Sequence, residues 1–425
     1  MTTPDLYRPR LDAMIDMQHP LAVLSRRLSW SQIEVALAPA FERRNRAGRV
    51  IQGDDPFGAT SQLFGAGVRA AGRPRLSIPL MASLLYLKHA FNLSDSDLVQ
   101  RWSQDVVWQY FSGNDFYEPR LPCDPGQIGH FRKAIGEAGV EALPKATIDT
   151  AVHTGAIKPM EFERVIVDST VQEKAVAFPT DSRLLEVARQ YRRLKKTVRR
   201  QRTIVAKLMR EIERKMASVV ASTPQALQGL RTVLDRATRL VTQSPKDKSK
   251  LYAMHASEVE CISKGKARNP YEFGVQSCIA VTHQSGLIVG ARTFPGNPYD
   301  GHTLQEQIEQ VNILCDAHGV TVKEAVVDLG YRGVDAANPG VLIKHRGWIR
   351  SKTDKERQQL KRRQAVEPVI GHLKADHRMA RCWLKGSIGD AVNTVLAAAA
   401  FNLRWLMRAV VRLFFVFAGF EHLRP

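Results

Sequence analysis

Hydrophobic positions follow two different rhythms along the chain. Before about residue 155 they recur every three or four residues: Trp30, Ile33, Leu37 and Phe41, then a run from Ile78 to Phe91, then Leu98, Trp102 and Val106. That period predicts a succession of short helices. Ser31 is placed to cap the first, and Ser94-Asp95-Ser96-Asp97 caps the helix that carries Leu98 and Trp102. A Gly/Asp/Pro-rich loop from Gln52 to Thr60 and a basic stretch, Gly72-Arg73-Pro74-Arg75, interrupt the series.

The rhythm changes at Phe162. Arg164-Val-Ile-Val-Asp168 is a β-branched run and predicts a buried strand ending in an aspartate. After a break at Thr180-Asp181-Ser182, Val187, Tyr191, Leu194, Val198, Val205, Leu208 and Ile212 form a heptad seam, which Ser222-Thr223-Pro224 ends. Leu227, Leu230, Leu234, Ala237 and Val241 resume it, so an antiparallel helical hairpin is expected. Strands return with Tyr271 to Thr282 and Leu287 to Phe294, joined by the turn His283-Gln284-Ser285-Gly286. An amphipathic helix starting at Thr303, a strand Glu324-Ala-Val-Val-Asp328, a short strand at Val341-Leu-Ile343 and a long charged helix from Asp354 to Lys374 complete the series. With the hairpin set aside, the remaining order is that of an α/β protein with a mixed sheet. It matches a ribonuclease H-like core interrupted after its first strand.

Charge narrows the class of partner. The 425 residues hold 62 Lys and Arg against 42 Asp and Glu, a formal net charge of +20. Such an excess favours a polyanion, because basic side chains displace counterions condensed on phosphates. Nucleic acid is the stronger reading and a membrane surface the weaker. The N-terminal helices suit a helix-turn-helix reader of DNA and an ordinary helical bundle equally well. Arg73 and Arg75 are candidate minor-groove contacts, although a plain basic loop explains four residues as well. The outer face of the hairpin (Arg192, Arg193, Lys195, Lys196, Arg199, Arg200, Arg202) is either simply solvated or lies on DNA. Five scattered cysteines with no CxxC pair argue against disulfides and structural zinc, and fit a reducing cytosol. The apolar stretch from Val395 to Phe420 is broken by Arg404, Arg408 and Arg412, which predicts a buried helix rather than a membrane span.

Asp168 and Asp328 each close a β-branched run, and in open α/β sheets strand ends face the ligand crevice. A carboxylate there needs a compensating cation. A turn or helix-capping role is the plainer alternative for each alone, above all at Asp328-Leu-Gly330. Glu367, on the last charged helix, is the candidate third acid. Phosphodiester cleavage needs an activated water and a neutralised leaving oxygen, which two hard cations about 3.5–4 Å apart provide. Oxygen ligands suit Mg²⁺, where His and Cys would select softer metals. No HExxH, P-loop or GxSxG motif is present.

Taken together these blocks resemble the DDE transposases of bacterial insertion sequences, specifically the insertion-sequence-five family. The resemblance runs over most of the chain: Gly72-Arg-Pro-Arg-Leu76, Trp108-Gln-Tyr-Phe111, Phe131-Arg-Lys133, Val167-Asp168-Ser-Thr170, Gly296-Asn297-Pro-Tyr-Asp300-Gly-His302, Val327-Asp328-Leu-Gly-Tyr331-Arg-Gly333, His377-Arg-Met-Ala-Arg381 and Ala400-Phe-Asn402-Leu-Arg404. It implies that Asp168, Asp328 and Glu367 hold two Mg²⁺ ions, with Mn²⁺ as an alternative. Arg363 and Lys374 match the spacing of the Tyr-Arg-Glu-Lys signature of the related insertion-sequence-four group, where they would contact DNA phosphates; an ion pair with Glu367 is the alternative for Arg363. The Tyr position holds Leu360, which puts a base-stacking contact there in doubt. Asn297 and His302 are candidates for steadying the site, with an ordinary loop role the plainer reading. Asn402 is expected to be a helix-packing hydrogen bonder.

The resulting expectation is a helical DNA-binding region over residues 1–155, a ribonuclease H-like core over 160–182 and 251–405, the hairpin over 183–250 and a tail over 406–425. The implied partners are terminal inverted repeats and target DNA, bound by a homodimer in the bacterial cytoplasm, associated with the nucleoid and with no membrane. Rival readings are a catalytically inactive DNA-binding relative and a nuclease that cleaves without strand transfer.

Overall fold

A computed structural model describes residues 9–41, 76–176, 191–218, 224–244, 247, 250–263, 270–345, 347 and 353–417. Arg73, Arg75, the Thr180-Asp181-Ser182 break and Val187 fall outside the described residues.

Eight helices come first: α1 (Leu11–Met14), α2 (Pro20–Arg27), α3 (Trp30–Leu37), α4 (Ile78–Ala90), α5 (Asp95–Trp102), α6 (Val106–Phe111), α7 (Pro125–Val140) and α8 (Ala142–His153). Ser94 caps α5 as its sequence indicates, accepting from the Asp97 N–H at 3.1 Å. The expected cap of α3 is displaced: Ser29, not Ser31, holds the N-cap position, and no side chain closes that turn. Strand β1 (Arg164–Lys174) follows, then the hairpin helices α9 (Tyr191–Ser218) and α10 (Pro224–Thr242). Next come β2 (Glu260–Ser263), β3 (Tyr271–Thr282), β4 (Ile288–Phe294), α11 (Asp300–Cys315), β5 (Glu324–Val326), β6 (Leu342–Lys344), α12 (Asp354–Arg362), α13 (Val366–Asp376), β7 (Arg381–Cys382) and α14 (Gly386–Phe417).

The sheet is mixed. β3 lies antiparallel between β1 on one edge and β4 and β2 on the other, while β5 and then β6 extend it parallel on the far side of β1. β7 adds two residues along the end of β1. Both faces are covered, and the alternation of side chains sorts them cleanly. Val165, Val167, Cys278, Ala280 and Ala325 face a core shared with the N-terminal helices, α11 and α14. Ile166, Ile279, Val281 and Val326 face a second core with Val366, Val369 and Leu373 of α13. This is why the Tyr271–Thr282 run is buried almost throughout rather than on alternate residues.

The expectation that the first strand ends at Asp168 is wrong. β1 continues six residues further, because polar side chains beyond Asp168 are buried against α14. Gln172 donates to the Asp390 carbonyl at 3.0 Å and accepts from Asn393 at 2.8 Å, and Lys174 pairs with Asp390 at 2.8 Å and Glu258 at 2.9 Å. The single long helix from Asp354 to Lys374 is also corrected: α12 and α13 are separated by a 3₁₀ turn, Arg363–Ala365. Pro368 is the physical reason, since it has no N–H for the Gln364 carbonyl and its ring crowds that turn. The helix expected from Thr303 starts three residues earlier, at Asp300.

α14 is the central element. It packs on α2, α4, α7, α8 and β4, and contributes to both cores. Asn402 sits at its heart, fully buried: its Oδ1 accepts from the Ile288 N–H at 3.0 Å, and its Nδ2 donates to the Ile288 carbonyl at 2.8 Å and to Thr147 at 3.2 Å. By length and composition, Gly386–Arg412 does reach what a membrane span needs, despite its arginines, but 67% of its apolar window is buried inside the fold. The hairpin stands apart from this packing. Of the expected seam, Leu234 is buried, Val205, Ile212, Leu230, Ala237 and Val241 are partly buried and Leu208 is exposed, while Arg199, Arg200 and Arg202 on the outer face are exposed.

Candidate active site

Asp168 points to the same side of the sheet as Ile166, toward α13. The parallel register of β1 and β5 pairs Ile166 with Val326. Two residues further along each chain come Asp168 and Asp328, and the backbone at Asp328 is still extended, with φ −85° and ψ −174°. The two aspartates are therefore neighbours on one face. Asp328 also plays the turn-forming part that Asp-Leu-Gly suggests: its Oδ1 accepts from the Gly330 N–H at 2.7 Å.

Electrostatics show the strain of this arrangement. Burial pushes the Asp168 carboxyl up to about 6; Arg363 opposes that shift, while Asp328 and then Asp300 add to it. Arg363 lies between Asp168 and Glu367, 3.3 Å from one carboxylate and 3.6 Å from the other. Its guanidinium is mostly buried, and it holds the position between the acids that a cation would take. Glu367 itself stays largely exposed, at 62% of its side chain. The 3₁₀ turn places Arg363, and that turn is anchored by α12, whose Arg362 donates to the carbonyls of His283 at 2.7 Å and of Gln284.

The remaining sequence candidates are spread out. Lys374 lies two turns along α13 from Glu367, 3.9 Å from Glu272 of β3. His302 is exposed and stacks edge-on against Tyr299, 5.5 Å between ring centres. Asn297 is exposed in a tight turn, with φ +44°. Neither has a recorded contact with the acids. Instead the same segment brings in Asp300, half-buried at the first turn of α11, where its Oδ1 accepts from Gln276 Nε2 at 2.6 Å. A Cβ added at Gly330 would meet Asp328 Oδ1 at 2.9 Å and Asp300 Oδ2 at 3.0 Å, so these two carboxylates approach one another across a glycine. Sequence reasoning missed Asp300 as an acid of the site. The available signal was an aspartate in a Pro-Tyr-Asp-Gly turn opening a helix.

Among the described residues, no three His, Cys, Asp or Glu side chains already converge on a metal-sized point. The donors gathered around Asp168 and Asp328 are nevertheless all oxygens, which is the set a hard divalent cation takes. Asp168 and Asp328 would hold such an ion directly, and Glu367 would join them by leaving its ion pair with Arg363.

A family model for a transposase domain matches residues 54–134, and one for a transposase DDE domain matches residues 337–407. These two matches indicate a DDE transposase. Its DDE-domain match carries Arg363, Glu367 and Lys374 and runs through Asn402. The transposase is also 38% identical over 180 residues to the uncharacterized protein ORF8 in the nfe locus of Rhizobium meliloti, a stretch that covers 42% of this chain and 74% of that relative. No solved structure matches it.

Proposed function

We propose that this transposase is of the insertion-sequence-five type and cuts and joins DNA at the ends of its element, with Asp168, Asp328 and Glu367 as the acids that hold two Mg²⁺ ions. The observation that carries this reading is the pairing of Asp168 and Asp328 on one face of adjacent parallel strands, beside the helix that bears Glu367. The sheet order, with β3 antiparallel between β4 and β1 and with β5 and β6 parallel beyond, supports a ribonuclease H-like core.

When bound, the ions would supply an activated water and neutralise charge on the leaving oxygen. The chain's own residues do the rest. Asp168 and Asp328 would hold the ions at the strand ends, where a phosphate is met by cations rather than by bare carboxylates. Arg363, displaced from between Asp168 and Glu367, turns its guanidinium to a phosphate oxygen, a geometry that suits its planar fork. Lys374 lies further along the same helix to meet the backbone as a point charge. The 3′-hydroxyl freed by cleavage would then lose its proton and attack a target phosphodiester in line at the same acids, forming a new P–O bond as the target strand's own 3′-oxygen leaves and takes up a proton. Two element ends have to be joined, so the working form on DNA is a homodimer, and the +20 chain supplies the general attraction to the duplex.

The test is a plasmid carrying the element's ends, incubated with the purified protein and Mg²⁺. Wild type is expected to nick at the ends and to give strand-transfer products. Asp168→Asn should reduce nicking by roughly a thousandfold or more while still binding end DNA. Undiminished nicking by the variant would refute the acid assignment; nicking without joined products would favour the nuclease reading.

A further inference from the structure

We propose that Asp300 is a fourth carboxylate of the metal centre, which together with Asp328 and the amide oxygen of Gln276 provides a second seat for a divalent cation. This rests on the reading of Asp168 and Asp328 as metal ligands and adds a residue which that reading does not use.

Gln276 is the decisive neighbour. It is 4% exposed, and its Nε2 donates to Asp300 Oδ1 at 2.6 Å. A carboxylate accepts and does not donate, so the amide is oriented with its nitrogen toward Asp300. Its Oε1 is then left buried beside the acid with no hydrogen-bond partner. Buried amide oxygens are normally satisfied. A cation, or a water on that cation, is the partner that an oxygen next to a carboxylate can accept.

The charges point the same way. Asp300 and Asp328 approach each other across Gly330, where any side chain would collide with both. Among the described residues no Lys, Arg or His forms an ion pair with either of them, and Arg363 serves Asp168 and Glu367 instead. Two half-buried carboxylates facing each other without a counter-ion are costly unless a cation joins them. A first-turn acid on a helix is favourable by itself, which accounts for an aspartate opening α11 but leaves the Gln276 oxygen unexplained.

Topology places this seat on the other side of the sheet from α13. Gln276 alternates with Ile279 and Val281 and so shares a face with Cys278 and Ala280, the face that α11 covers. Asp328, at the sheet's end, is near both acids: Asp168 senses its charge, and Asp300 meets it across Gly330. The centre thus has carboxylates above and below the strand ends.

The experiment measures Mn²⁺ binding to the full chain without DNA, by titration calorimetry and by the rise in melting temperature that the ion produces. Wild type, Asp168→Asn and Asp300→Asn are compared. Asp300→Asn keeps an oxygen for Gln276 and is expected to melt no lower than wild type without metal while binding Mn²⁺ at least tenfold more weakly. Gln276→Met, which removes the orphaned oxygen and no charge, should weaken binding several-fold and covers the case in which Asp300→Asn does not fold. If Asp168→Asn weakens binding but both other variants bind as wild type, this proposal is overturned and the triad reading stands. If none of the three alters Mn²⁺ binding, both are overturned.

Discussion

Asp168 is under tension in the metal-free protein. Burial with Asp328 nearby raises its carboxyl to about 6, against Arg363. A carboxyl raised on folding binds its proton more tightly in the folded state, so its contribution to stability is complete below the ordinary carboxylate range and is lost as pH rises through about 6. Above that, the ionised side chain costs the fold on the order of 3 kcal/mol. Asp168→Asn is therefore expected to melt higher than wild type at pH 8 in the absence of divalent ions, and at nearly the same temperature at pH 4. Added Mg²⁺ should stabilise wild type more than the variant. Thermal melts across this range check the account, and a variant that melts lower at pH 8 would rule it out. Asp168 and Asp328 are legible in the sequence because each follows a β-branched run. Asp300 is not, since one aspartate in a turn looks like any other until α11 docks it beside Gln276.

Elements hold the site through a few buried polar clasps. Asn402 joins three of them, α14 to both backbone groups of Ile288 in β4 and to Thr147 in α8. Asn402→Leu takes that partner from both backbone groups of Ile288, while Thr147 keeps its bond to the Pro144 carbonyl, and should lower stability by about 1–3 kcal/mol, measured by urea unfolding; Asn402→Asp should fare no better, because it cannot donate to the Ile288 carbonyl. Such clasps also explain where the pattern of the sequence misleads. Gln172 and Lys174 lie beyond the β-branched run that predicts the strand, yet each meets its partner in α14, and that partner is more than two hundred residues away. β2 and β7 span four and two residues, too few for any period to register. The break between α12 and α13 was visible in Pro368, but a run of charged residues on either side masks it.

For the whole molecule, charge and packing divide the work. The acids sit at the ends of the central strands, while a net charge of +20 spreads over the rest. Binding to end DNA is therefore expected to weaken by about a thousandfold or more between 50 and 200 mM salt, as follows when several phosphates are neutralised. Fluorescence anisotropy over that range would show it, and a flat response would mean that the excess charge does not meet the duplex. The helices before residue 155 and the sheet after it share one continuous apolar core. The sequence suggests two separate units there, because its change of rhythm at Phe162 marks a change of element type and not the edge of a core.

α14 gives that shared core a further consequence. It lines both apolar layers with Leu396, Ala399 and Leu403 on one side and Ala397, Ala398 and Phe401 on the other. During synthesis it leaves the ribosome after every other element described here. Until then, the parts of both apolar layers that α14 covers stay open to solvent. A chain cut short within α14 is accordingly expected to lack part of both cores and to be less stable than the full chain.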